Sequence, residues 1–239
     1  PVRTPHHTAS SVAVIGGGSV PGPGEVSLAH HGILFLDEMP EFPRSVLETL
    51  RQPLEDGEVT IARANATVKF PARFMLVGAM NPTPGGDRPT NEVEHRKMRR
   101  YLEKISGPLA DRIDLHVEVP ALPFDRLASR QRGTSTAELR EQVLAARQRQ
   151  AERNGGEVLN ADLSGRRLDE LAPLPDPARV LLKQAMNELG LSARAYDKVR
   201  RVCLTLADLA GDTSLTETHV AEAIGYRLLD RSDGLPAAV

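Results

Sequence analysis

The 239-residue chain carries 30 Lys and Arg against 32 Asp and Glu, a formal net charge of −2, with 40% hydrophobic and 26% charged residues. That length supports one large domain or two small ones with a substantial core, and the near-neutral balance excludes a globally basic polyanion binder, so any such surface is local. A single cysteine excludes a disulfide framework and fits a reducing cytoplasm, and no apolar run approaches the ~20 residues of a membrane span.

The chain opens on Pro1 and "VRTPHHTASS", which reads as the interior of a longer protein. Residues 8–31 hold two short helix-compatible pieces separated by a Gly/Pro-rich loop from Gly16 to Gly24. Next, "GILFLDE" is a continuous apolar run that predicts a strand over Ile33–Leu36, buried on both faces and ending in Asp37 and Glu38. Residues 43–55 read as one helix, with Pro43 in its first turn and Val46, Leu47, Leu50 and Leu54 at helical spacing.

"EVTIARANATVKF" alternates on both sides of a turn at Ala64-Asn65, predicting a hairpin over 58–70 with Val59 and Ile61 on one face and Arg63 at its tip. A second buried strand, "FMLVGAM", ends at Asn81. A basic helix over 92–105 and a third strand, "DLHVEV", follow. Beyond Pro120–Pro123 the pattern turns helical: Leu182, Ala185, Met186 and Leu189 mark one face, Val199, Val202, Cys203 and Leu206 another. Thr216 is placed to cap a last helix carrying Val220, Ala223, Ile224 and Leu228. The expected class is α/β over residues 1–122, then an all-helical part over 123–239.

Acidic side chains at the end of a buried strand are costly unless they face something positive. Two such strands, one ending in Asp-Glu and one in Asn, fit a nucleoside-triphosphate site, since α/β sheets hold ligands at the carboxyl ends of their strands. Asp37 would hold Mg²⁺ through water, Glu38 would orient and deprotonate the attacking water, and Asn81 would steady that water from the neighbouring strand. The plainer alternative is a strand end with solvated acids. His6-His7 and His30-His31 lack partners at metal-ligand spacing; His30 and His31 read as packing or hydrogen-bonding groups, and Cys203 as a core residue.

"GILFLDE", "VGAMNP" and "GPLADRIDLHVEVP" resemble the Walker B, sensor 1 and arginine-finger segments of AAA+ ATPases. The longer block "RTPHHTASSVAVIGGG…PGEVSLAHHGILFLDEMPEF" resembles the magnesium-chelatase-like AAA+ family, ComM type, from residue 1 to about 230. That resemblance implies a partial AAA+ core (three-layer αβα, a parallel sheet with an inserted β-hairpin) plus a helical lid, ATP and Mg²⁺ as cofactors, a cytoplasmic ring oligomer, expected to be a hexamer, and DNA as the partner of a branch-migrating helicase. It makes Asp37 the Mg²⁺-associated acid, Glu38 the catalytic base and Asn81 sensor 1. Arg112 becomes the finger reaching a neighbouring subunit's γ-phosphate, against the alternative of a surface ion pair with Asp111 or Asp114. Arg194 becomes sensor 2, and Ser192 as N-cap would put it in a helix's first turn.

By the same resemblance the loop 16–24 and the hairpin 58–70 project into a ring channel, where Arg63 and Lys69 would follow DNA phosphates; an ordinary surface hairpin is the alternative. The run "HRKMRRYLEK" reads as a basic helix face, with a phosphate-tracking patch as the alternative if it lines the channel, and Lys198, Arg200 and Arg201 read as solvent-facing. "NPTPGG" after sensor 1 lacks the cysteines that relatives often carry there, so no zinc role is expected.

No G-x-x-x-x-G-K-[ST] occurs in the 239 residues. The resemblance puts the phosphate loop and its central strand upstream of Pro1, which predicts weak ATP binding by this chain alone and unpaired edges in its sheet. Two other functions remain open: a magnesium-chelatase ATPase subunit serving metal insertion into a porphyrin, and a non-catalytic interaction module.

Overall fold

The short strand β1 (Val2–Arg3) leads to α1 (Ser11–Ile15), a small hairpin of β2 (Gly16–Gly17) and β3 (Gly22–Pro23), and α2 (Glu25–Leu28). This is a computed structural model, and it describes residues 1–63, 66–81, 91–120, 122–124 and 133–227, the side chains of Arg63 and Ala66 excepted. The Gly/Pro loop is therefore a hairpin set between two short helices. Gly24 is essential there: a Cβ would sit 2.3 Å from the Gly16 nitrogen and 2.5 Å from the Val14 carbonyl oxygen.

The apolar run becomes β4 (Ile33–Leu36), parallel to β1 on one side and to β7 (Met75–Gly78) on the other. Alternation along β4 sends Leu34 and Leu36 into a core with Val14, Val26, Leu47, Leu50 and Leu109. Ile33 and Phe35 on the opposite face are only half-buried, so burial of both faces is not realised. β7 likewise departs from a fully buried strand, with Met75 64% exposed. Among the described residues only β4 flanks β7, which leaves its outer edge open, as the unpaired-edge expectation has it.

The single helix expected over 43–55 is two: α3 (Arg44–Thr49), entered from Pro43, and α4 (Arg51–Asp56). Pro53 has no N–H to return to the Thr49 carbonyl four residues back, so the ladder breaks there. Gly57, at φ 68°, turns the chain into the hairpin of β5 (Glu58–Arg63) and β6 (Ala66–Pro71). Its register sets Val59 opposite Phe70 and Ile61 opposite Val68, the pairing that the alternation predicts; the turn residues Ala64 and Asn65 lie outside the described residues. α5 (Glu92–Leu102), capped by the Asn91 side chain, and α6 (Gly107–Ala110), capped by Ser106, complete the first unit, Pro1–Ile113.

The second unit, Asp114–Val239, is helical where described: α7 (Thr136–Asn154), α8 (Gly165–Leu171), α9 (Asp176–Leu189), α10 (Ala193–Ala210) and α11 (Glu217–Gly225). The predicted third strand, "DLHVEV", is absent. Residues 114–119 run without ladder pairing; the His116 N–H donates to the Tyr226 carbonyl at 2.8 Å, and Arg227 Nη1 donates to the Asp114 carbonyl. Alternating residues make a strand only when another strand lies alongside, and none does among the described residues.

Thr216 caps α11 through a reciprocal bond with His219, as expected; Leu228 lies outside the described residues. Leu182, Val199, Cys203, Ala207 and Val220 share the core. Burial pushes the Cys203 thiol up to about 12, which makes it an inert packing group. Lys198 and Arg200 are not solvent-facing: Lys198 pairs with Asp114 at 2.7 Å, and buried Arg200 donates to Asp169 at 2.7 Å and to the Leu168 and Ala172 carbonyls. Burial lowers the Lys198 ammonium below its ordinary value, against the pull of Asp114.

A buried polar cluster joins α7 to α10. The Asp208 carboxylate, 1% exposed, accepts from both terminal nitrogens of Arg153 and from Asn160 Nδ2 at 2.9 Å, and Asn160 also bonds Asn154 and Thr205. Asp208→Ala would leave a part-buried guanidinium and a buried amide without their acceptor. We expect it to destabilise the helical unit by about 3–5 kcal/mol, read as a lower urea midpoint in the chain.

Candidate active site

Because β1, β4 and β7 are parallel, their carboxyl ends lie at one side of the sheet. His6 and His7 follow β1, Asp37 and Glu38 follow β4, and Asn81 follows β7. The pairing of Leu36 with Gly78 continues past the strand ends: the Ala79 N–H donates to the Leu36 carbonyl, and the Met39 N–H to the Ala79 carbonyl, each at 2.9 Å. Gly78 permits this approach, since a Cβ there would meet Met39 Sδ at 2.6 Å. The two acids and the asparagine therefore leave adjacent strands in the same direction, and all three are exposed.

Glu38 has a left-handed backbone, φ 49° and ψ 44°, uncommon for a residue with a Cβ. Such a conformation costs about 1–3 kcal/mol and persists only where the surroundings fix it. Here the Asp37 carboxylate accepts the Glu38 N–H at 3.0 Å, and the turn Met39–Glu41 buries Met39 and Pro40. The Glu38 carboxylate meets His7 Nδ1 at 3.3 Å. That ring stands against His6 at 4.2 Å and edge-on to Phe42 at 6.4 Å.

Buried Tyr101, from α5, closes the same region. Burial raises its hydroxyl above the ordinary value, Glu41 and Glu38 push the same way, and the backbone of Asn81 opposes them. Lys104 lies 3.4 Å from the Glu41 carboxylate and 5.6 Å from the Tyr101 ring centroid. His30 and His31 take the packing role expected of them: the rings stand 3.9 Å apart, and His30 Nδ1 accepts the Arg73 N–H at 3.1 Å.

Arg112 follows α6. Its guanidinium donates to the Pro108 carbonyl at 2.7 Å and to the Glu55 carboxylate. The side chain is only 12% exposed while Glu55 remains 48% exposed. Arg194 is the second residue of α10, whose N-cap Ser192 accepts the Ala195 N–H at 3.1 Å, so the expected first-turn placement is observed. Lys69 bonds Glu58 across the β5–β6 hairpin at 2.5 Å, which raises its ammonium above the ordinary value and offsets its charge. The Arg63 side chain lies outside the described residues.

The donor set suits a magnesium–triphosphate group. Hard carboxylate oxygens stand exposed at a strand end, and among the described residues no three His, Cys, Asp or Glu side chains form a closed cage. Mg²⁺ typically uses one or two carboxylates and otherwise binds water and phosphate. No described helix is long and apolar enough to cross a membrane.

Residues 1–127 match the family model described as magnesium chelatase, subunit ChlI, and residues 133–227 match the model of the ChlI C-terminal region. The chain is 49% identical to the competence protein ComM of Haemophilus influenzae, over 97% of this chain and 46% of that protein. It is 42% identical to the uncharacterized protein YifB of Escherichia coli with the same coverage. Against the magnesium-chelatase 38 kDa subunit of Acidiphilium rubrum it is 27% identical over 83% of this chain and 52% of that protein. The chain thus spans about half the length of these relatives.

Proposed function

Since the chain belongs to the magnesium chelatase subunit ChlI family, we propose that it is part of an AAA+ motor that couples ATP hydrolysis to DNA remodelling in a cytoplasmic ring oligomer. The observation that carries this reading is the convergence of Asp37, Glu38 and Asn81 at the carboxyl ends of two adjacent parallel strands. Identity of 49% to a protein named for competence, against 27% to a chelatase subunit, supports the DNA branch over porphyrin metallation.

Bound Mg-ATP would supply the electrophilic phosphorus and neutralise its own developing charge. Asp37 would hold the ion through water. Glu38 accepts a proton from the attacking water at its carboxylate, and Asn81 orients that water from the next strand. Arg112 would act on the phosphate of the adjacent subunit, and Arg194 would serve as sensor 2 toward the nucleotide. His7 is a positioning residue: it bonds the Glu38 carboxylate and touches no reacting atom.

Protein that includes a phosphate-loop segment should hydrolyse ATP faster with branched DNA than without it. Stimulation by a porphyrin-binding partner in place of DNA would overturn the DNA reading; no hydrolysis at all would favour a non-catalytic module. In the same assay His7→Ala should lower kcat about fivefold with KM for ATP unchanged, the loss of one half-exposed polar contact of about 1 kcal/mol. An altered KM with constant kcat would remove His7 from that role.

A further inference from the structure

We propose that the outer face of α5 is a docking surface for the phosphate backbone of duplex DNA, with Arg96, Lys97 and Arg100 as its contacts. This rests on the DNA-remodelling reading and adds to it a place where the polymer is held. α5 turns Met98 and Tyr101 into the protein and leaves His95, Arg96, Lys97, Arg99 and Arg100 exposed. Val93, Arg96, Lys97 and Arg100 line a shallow concavity of about 280 Å³.

These cations cluster on one helix face without counter-charge, whereas many of the other basic side chains are paired. Arg3, Arg51, Lys69, Lys104, Arg153, Lys198 and Arg200 each sit against a carboxylate. Among the described residues, the side chains of Arg96, Lys97, Arg99 and Arg100 enter no ion pair or hydrogen bond. Arg99 and Arg100 lie in the last turn, where the helix dipole favours a cation. Arg96 and Lys97 gain nothing from that. Arg96 faces Arg99 and Arg100 at helical spacings, as Lys97 faces Arg100, and such like-charge pairs repel. An overall near-neutral chain that concentrates unneutralised cations on one helix face makes a local anion surface.

Shape and spacing select a polymer over a small anion. The surface is open, with no buried polar side chain to enclose a single phosphate. Arg96 to Arg100 spans about 6 Å of helix axis, against one negative charge per about 3.4 Å along each DNA strand. Tyr101, the aromatic of this segment, is buried, so the face offers charge without a base-stacking platform. The contact is therefore sequence-independent and strongly salt-sensitive.

The test is fluorescence anisotropy of a random-sequence duplex with the full chain across a salt series. It compares wild type, R96Q/K97Q/R100Q, and the charge-matched control R166Q/R179Q/K183Q. The α5 variant should bind more weakly, its log–log salt slope shallower by about 2–3, with the control close to wild type. Equal slopes in wild type and the α5 variant, or an equal loss in the control, would overturn the α5 assignment and leave the DNA reading standing. A wild-type chain that binds no duplex would overturn both. Poly-glutamate binding as tightly as DNA, with the same loss in the α5 variant, would replace the polymer with an acidic protein partner. Circular dichroism keeps a fold defect distinct, and a lysine-retaining R96K/R100K variant should bind almost as wild type.

Discussion

In protein that includes a phosphate-loop segment, Arg112→Ala should lower ATP turnover by about 10³–10⁵-fold, the range expected for losing an arginine supplied to a phosphoryl-transfer transition state, while nucleotide binding persists. The guanidinium is planar and permanently charged, which suits charge spread over three phosphate oxygens. In the structure that group is held within its own chain by Glu55 and the Pro108 carbonyl. To serve a neighbouring subunit it must exchange a half-exposed carboxylate for a phosphate, a substitution of one anion for another. The decisive measurement is a mixture of Arg112→Ala with Glu38→Gln protein. A site that keeps its own Glu38 and borrows an intact Arg112 regains turnover in mixed rings. A mixture as inactive as either parent would show that Arg112 does not act across subunits.

In the same extended protein, Glu38→Gln should lower kcat by about 10²–10⁴-fold, the usual contribution of a positioned general base, with ATP affinity retained. Glutamine keeps the shape of the side chain beside His7 but cannot accept the proton, so the loss falls on chemistry. Single-turnover assays separate that loss from product release. If the glutamine variant turned over at the wild-type rate, Glu38 would not be the base, and the strained turn that carries it would need another explanation.

The site residues were legible because strand ends are. An apolar run finishing in Asp37-Glu38, and another finishing at Asn81, needed only parallel pairing to bring them together, and β4 and β7 pair in that way. His7 was not legible as a partner of Glu38: the contact depends on β1 lying beside β4, which no local pattern reports. Nor does composition disclose the left-handed backbone at Glu38.

The contact of Arg112 with Glu55 was not legible, since no local pattern reports a partner 57 residues away. Arg200 misled through chemistry. Its spacing from Tyr196, Cys203 and Leu204 already put it on the apolar stripe, and Asp169 with two carbonyls makes burial there tolerable. Periodicity outweighs residue type once partners exist. "DLHVEV" is the converse case, with good alternation and no strand alongside to complete it.

The contact of Gly24 with Gly16 has one more consequence. Because backbone meets backbone at the base of the β2–β3 hairpin, the ends of α1 and α2 are clamped together independently of what the loop carries beyond them. Val20 at the crest is 82% exposed, so foreign sequence spliced between Ser19 and Val20 would hang from a fixed stalk, and the crest could host a reporter tag without disturbing the helices beneath.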